Sequence, residues 1–198
     1  MKFTKTILAS SLILASGLAV AETDWIVRAG FSVIAPDSNN NPVVAVEDAT
    51  SFSFTLGKMM TQNIELEVLA AWPFEHDITL ADGGATVGSA KHLPPTVSLN
   101  YHFMPKATFD PYIGLGINYT FFWDESTRGA LDGTRLSLSD SFGFALQAGA
   151  DFNLSNNWLI NASVRYVDLS SKARLDGVSL GNVNIDPIIY SLNFGKRF

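Results

Sequence analysis

The stretch SFGFALQAGADF, residues 141–152, decides the fold. Phe142, Phe144, Leu146, Ala148, Ala150 and Phe152 fall on one side of an extended chain. Ser141, Gly143, Ala145, Gln147, Gly149 and Asp151 fall on the other. A period of two belongs to a β-strand, and here one face is apolar with an aromatic at each end while the other is small, polar or charged.

The same alternation recurs along the chain and predicts eight strands, over 24–35, 50–59, 63–73, 91–103, 111–123, 141–152, 158–168 and 184–198. The first sets Trp25, Val27, Ala29, Phe31 and Val33 against Ile26, Arg28, Gly30 and Ser32. The third sets Ile64, Leu66, Val68, Ala70 and Trp72 against Asn63, Glu65, Glu67, Leu69 and Ala71. Charges fall on the second face, so the first is expected to meet lipid. After Ala21 no apolar run is long enough for a membrane helix, which needs about 20 residues. A closed antiparallel up-and-down barrel is the other structure that satisfies every backbone group in lipid.

The connections support this reading. Segments 60–62, 104–110 and 153–157 are short, whereas 36–49, 74–90, 124–140 and 169–183 are long. Short turns at one end and long loops at the other match the periplasmic and extracellular ends of an outer-membrane barrel. Trp25 and Trp158 open upward strands, and Trp72 and Trp123 close them, all four with lipid-facing parity. Tyr101, Phe103, Phe152 and Phe198 complete a lower aromatic girdle. A soluble sandwich with an aromatic core is the alternative, and it leaves the placement of every Trp at a strand end unexplained. Gly30, Gly57, Gly114, Gly116, Gly143, Gly149 and Gly195 share the inward parity, as a narrow lumen requires.

Residues 1–21 read as a secretory signal peptide: Lys2 and Lys5, an apolar run from Ile7 to Leu18, and Ala19-Val20-Ala21 as the cleavage site. The barrel domain is then 22–198. Without the two leader lysines it holds 11 basic and 19 acidic residues, a net charge of −8 that argues against nucleic acid. There is no cysteine, which closes zinc-thiolate and cysteine-nucleophile chemistry.

Several inward residues are candidates for function. Pro73 ends the third strand and Pro94 and Pro95 interrupt its hairpin partner; prolines cannot donate to a ladder, so these strands should part near their upper ends. The opening is either a lateral exit into the membrane or a bulge that shapes the rim. Arg28, Glu65, Glu67, Asp151, Arg165 and Arg197 have lumen parity. Charges in a narrow lumen must pair, so a salt-bridge network is favoured over an ion-selectivity ring. Leu69, Phe122, Ile34, Leu159 and Ile189 are apolar and face inward, which suits a greasy pocket better than a polar porin lumen. Simple filling of a small barrel is the alternative. His76 reads as a solvated loop residue and His102 as a capped lumen or turn residue. No nucleophile motif supports a hydrolase or acyltransferase.

The segments LEVLAAWPFEHDI (66–78), KHLPPTVSLNYHF (91–103), PYIGLGINYTFF (111–122), FALQAGADF (144–152), NASVRYVD (161–168) and IDP (185–187), with the C-terminal Phe, resemble the outer membrane protein W family of Gram-negative bacteria. LAAWPF and HLPPT are the most specific. The resemblance covers nearly all of the chain after the leader. It implies an all-β, eight-stranded monomeric barrel in the bacterial outer membrane, with a hydrophobic cavity open outside and blocked toward the periplasm. It implies passive uptake of small hydrophobic solutes with lateral exit into outer-membrane lipid, and no catalytic residue, metal or cofactor. Family members can serve as colicin or phage receptors, so a receptor barrel with a plugged lumen is the rival reading. Leu69 falls at the family's constriction, and Arg165 falls where some relatives place an aromatic. Phe198 is expected to address the barrel-assembly machinery, with Lys196 standing where relatives commonly carry an aromatic.

Overall fold

A computed structural model describes residues 24–37, 44–80 and 84–198. The expected leader lies outside the described residues. The wall of the barrel is built from β1 (Trp25–Ala35), β3 (Ala49–Met59), β4 (Ile64–Ala71), β7 (Thr96–His102), β8 (Phe109–Thr127), β10 (Ser141–Asn153), β11 (Trp158–Val167) and β14 (Ile188–Arg197). Each pairs antiparallel with its neighbours, and β14 returns to β1 with Ile26 opposite Arg197 and Ala35 opposite Ile188. The eight strands therefore close into a barrel.

The parity read from the sequence sets the two faces. Phe31, Leu115, Phe142 and Leu192 are 62–68% exposed, while Arg28, Glu65, Asp110 and Asp151 are fully buried. So large an apolar outer surface around a charged interior is the inverse of a water-soluble protein and fits immersion in lipid. Trp25, Trp72 and Trp158 are exposed on this surface, and the half-buried Trp123 alternates with the inward Phe122. At the lower rim Tyr101, Phe103, Phe152 and Phe198 are exposed. The Lys58 ammonium sits 5.3 Å from the Trp25 ring, and Lys196 sits 5.1 Å from Trp158 and 5.3 Å from Phe198. Cations over aromatic rings at the headgroup level are the expected interface chemistry.

The long segments are not simply loops. Beyond Pro73 the chain continues as β5 (Phe74–Leu80), which forms a hairpin with β6 (Thr86–Leu93). The short β2 (Val44–Val46) adds to β5, and β6 adds to the upper part of β8. β9 (Leu136–Leu138), β12 (Ser170–Leu175) and β13 (Val178–Asn184) form a second small sheet. These strands carry the wall upward beyond the Trp72–Trp123 girdle. The expected last strand, 184–198, is shorter than read: Asp186 takes φ +35° and Pro187 has no N–H, so β14 starts at Ile188. The expected fourth strand, 91–103, is broken at Pro94-Pro95 into β6 and β7. Glycine makes the lumen possible at Gly57, where an added Cβ would stand 1.7 Å from the Glu65 carboxylate.

Candidate functional site

The lumen is stratified. Its lower part is an ion-pair layer centred on Arg28. The Arg28 guanidinium donates to Asp151 through Nε (3.1 Å) and Nη2 (2.7 Å), to Glu65 through Nη1 (2.8 Å) and to Glu67 through Nη1 (3.3 Å). The fork matches a carboxylate at two points, which fixes its orientation. Arg165 Nη2 donates to Glu67 at 2.8 Å, and Arg197 Nη2 to Asp151 at 2.9 Å and Asp110 at 3.4 Å. Asn100 and Gln147 donate to Glu65 and Glu67, and Asn161 donates to Asp151.

His102 completes this layer. Its Nδ1 lies 2.8 Å from Asp110 and its Nε2 2.9 Å from Glu65. Carboxylates only accept, so both contacts are met by a ring that carries a hydrogen on each nitrogen. Four carboxylates then face three guanidinium groups and one imidazolium. Burying charges is tolerable when they are paired and hydrogen-bonded in this way. His102, Asp110 and Asp151 have the spacing of a metal cluster, but their donor atoms are already engaged by each other, Arg28, Arg197 and Glu65.

Leu159, fully buried, sits one inward position closer to the periplasmic end than Asn161, so it seals the bottom and does not line the upper lumen. Leu69 stands on β4 two residues above Glu67 and is 6% exposed. Above it the lumen turns apolar: Ile34, Ala49, Phe74, Ala145, Val167, Leu169 and Ile189 form one buried cluster, with Ala71, Phe122 and Ile185 against it. A small open-mouthed cleft, enclosing about 40 Å³ at rest, sits on top of this cluster. Ile34, Phe122, Leu169, Ile185, His76 and His92 are among its lining residues.

His76 is not the solvated loop residue that the sequence suggests. β5 folds it inward, where it is 4% exposed and stacked on His92 with ring centroids 4.8 Å apart. Both histidines stand on the hairpin above the girdle, and burial pushes both imidazoles below their ordinary range.

The wall beside the apolar cluster has a break. β4 and β7 pair from Ile64–Tyr101 to Leu69–Thr96, and the His102 N–H donates to the Asn63 carbonyl below. The odd residues of β4 thus face the even residues of β7. In that register the next two hydrogen-bonding rungs would set Ala71 against Pro94 and Pro73 against His92. Each rung lacks a donor. The Pro94 carbonyl is instead held by Asn118 Nδ2 at 3.2 Å and Thr96 Oγ1 at 3.1 Å. Pro95 faces the other way, its carbonyl accepting from the Tyr119 N–H of β8 at 3.1 Å. Pairing resumes at Phe74–His92, shifted by one residue.

Most of the expected lumen residues therefore meet in two layers, one charged and one apolar. Asp110 falls in the expected turn 104–110, yet β8 begins at Phe109 and Asp110 shares the inward parity of Tyr112, Gly114 and Gly116. Asn100 and His102 follow from the parity of β7 in the same way.

A model of the OmpW family matches residues 21–198. Outer membrane protein W of Vibrio cholerae is 40% identical over 195 residues, covering 89% of this chain and 89% of that protein. Outer membrane protein W of Escherichia coli is 35% identical over 203 residues, covering 96% of this chain and 95% of that protein. The crystal structure of the outer membrane protein OprG from Pseudomonas aeruginosa superposes with a TM-score of 0.80 at 30% identity, covering 89% of this chain and 96% of that one. These likenesses span the same closed, lipid-facing barrel that the register describes, and the chain belongs to the OmpW family of bacterial outer-membrane proteins.

Proposed function

We propose that this barrel is a passive conduit for small hydrophobic molecules, which enter the extracellular cleft and leave sideways into the outer membrane. The observation that carries the reading is the vertical order of the lumen. An apolar cleft and cluster stand directly above a fully paired charge layer, and the wall is unzipped beside the apolar cluster. An apolar solute gains nothing from crossing buried ion pairs. Ala71, inside the unpaired stretch, packs on the apolar cluster, so the break opens onto greasy surface. Passage needs Phe74, Phe122 and Ile189 to move, since the cluster is packed at rest. The barrel acts as a monomer, and Phe198 engages the barrel-assembly machinery.

The test is accumulation of labelled n-octane by Gram-negative cells with and without the protein. A severalfold faster uptake in the presence of the barrel is expected. Equal rates would leave the plugged structural or receptor barrel, with its extracellular strands as the colicin- or phage-facing surface.

A further inference from the structure

The upper cleft is apolar except at two imidazoles, which keep ring nitrogens free of partners among the described residues. His92 is 6% exposed and sandwiched between Phe74 (centroids 5.5 Å apart, planes 16°) and His76 (4.8 Å, 12°). Phe122 leans on it at 5.7 Å. Neither ring nitrogen of His92 has a hydrogen-bond partner among the described residues. His76 Nδ1 lies 2.6 Å from the Glu47 carbonyl, which only accepts, so that nitrogen carries the hydrogen and Nε2 is left as a bare acceptor. A guest that brings one hydrogen-bonding group can pair with such a nitrogen, and a pure hydrocarbon cannot.

We propose that this cleft is a binding site for small, neutral aromatic molecules carrying one hydroxyl, the phenol class, and that His92 distinguishes them from plain hydrocarbons. The inference rests on the conduit reading for the path by which such molecules arrive. The guest's ring lies against the edges of His92 and Phe122, which line the cleft, where offset or edge-to-face packing is favourable. Its hydroxyl bonds to an imidazole nitrogen of His92. The site selects against carboxylates: no Lys or Arg lines the cleft, and Glu47 and Asp48 stand beside His76. The resting cleft encloses only about 40 Å³, so a guest ring enters as Phe122 moves aside.

The test compares p-cresol with p-xylene, which differ by a hydroxyl in place of a methyl. Both are titrated, at matched membrane concentrations, into the full-length mature protein in phospholipid nanodiscs, with the side-chain nitrogen resonances of labelled histidine as the readout. The expected result is five- to tenfold tighter binding of p-cresol, with the His92 resonances moving. His92→Phe should abolish the difference while p-xylene binds as before. His92→Gln, which keeps a donor and an acceptor, should retain it; heat-modifiable migration verifies that both variants fold. Equal affinity in the parent, no binding of either compound, or a preference that survives His92→Phe overturns the site. Octane uptake separates the two readings. Uptake without a cresol preference sinks the site alone, and a cresol preference without uptake sinks the conduit alone.

Discussion

Ile189 stands directly opposite Arg165 in the β11–β14 ladder, and Ile34 stands opposite Ile189 in the next ladder. The boundary between the charged and apolar layers therefore falls between two residues that face each other across one pair of strands. Arg165 can sit there because its guanidinium reaches Glu67 and Gln147 while its stem lies beside apolar neighbours. The blockade and the greasy layer above it thus meet at this pair. On the proposed conduit, a solute that reaches Ile189 meets Arg165 next, and the unpaired stretch of wall offers the path that avoids it.

The charge layer should govern stability more than permeation. Arg28→Met leaves Glu65 and Asp151 short of a buried partner, and breaking such a network costs about 3–5 kcal/mol. Arg165→Met should cost less, because Glu67 keeps Arg28 and Gln147. Lys91→Met removes an exposed pair with Asp124 and should leave the unfolding midpoint where it was. Urea unfolding in phospholipid vesicles, followed by tryptophan fluorescence, ranks the three. A midpoint for Arg28→Met equal to that of Lys91→Met would remove the structural role of the network.

The space for that network is made by glycine. A methyl group at position 57 would stand 1.7 Å from Glu65 Oε1, the oxygen that accepts from Arg28. Glu65 is held by Arg28, Asn100 and His102, so it cannot swing clear without losing partners. Gly57→Ala should destabilise the barrel by about 1–3 kcal/mol, the usual cost of overpacking. In the same urea assay, a parental midpoint for Gly57→Ala would mean that the carboxylate has room to retreat.

The membrane-spanning strands are legible because lipid enforces contrast: Phe142, Phe144 and Leu146 alternate with Ser141, Gly143 and Ala145. The strands above the girdle were read as loops because their outer face meets water. In β12 the exposed Ser170, Lys172 and Arg174 alternate with buried Ser171 and Ala173, a pattern with no hydrophobic contrast to detect. The inward charges were legible by parity. Their partners were not, since Arg28 and Asp151 are 123 residues apart and only barrel closure brings them together. The reading of the prolines lacked register. Pro94 and Pro73 face across the break, whereas Pro95 points toward β8.

The C-terminal aromatic should matter for assembly rather than for the finished barrel. Phe198 and Trp25 exchange backbone hydrogen bonds at 2.8 and 3.3 Å, which a smaller side chain can still make. Its ring is exposed and lies under the Lys196 ammonium, 5.3 Å from its centre. Phe198→Ala is expected to lower the amount of heat-modifiable barrel in cells severalfold, while urea-unfolded protein refolds into detergent with parental yield. Equal loss in both settings would assign Phe198 to stability.

The proline break yields the sharpest test of lateral exit, because its three prolines are not equivalent. Pro94 would sit opposite Ala71 in a rung, and Pro73 opposite His92. Pro94→Ala supplies an N–H aimed at β4, and Pro73→Ala supplies one aimed at β7; together they allow the ladder to extend upward from Leu69–Thr96. Pro95→Ala adds an N–H on the β8 side, where the Pro95 carbonyl is already bonded, so it serves as the control. The pair Pro73→Ala with Pro94→Ala should slow octane uptake severalfold without changing heat-modifiable migration, and Pro95→Ala should transport like the parent. Amide exchange reads the closure directly, since new rungs protect Ala71 and the alanine at position 94. If exchange shows the ladder closed and uptake is undiminished, the solute leaves the apolar layer by another route.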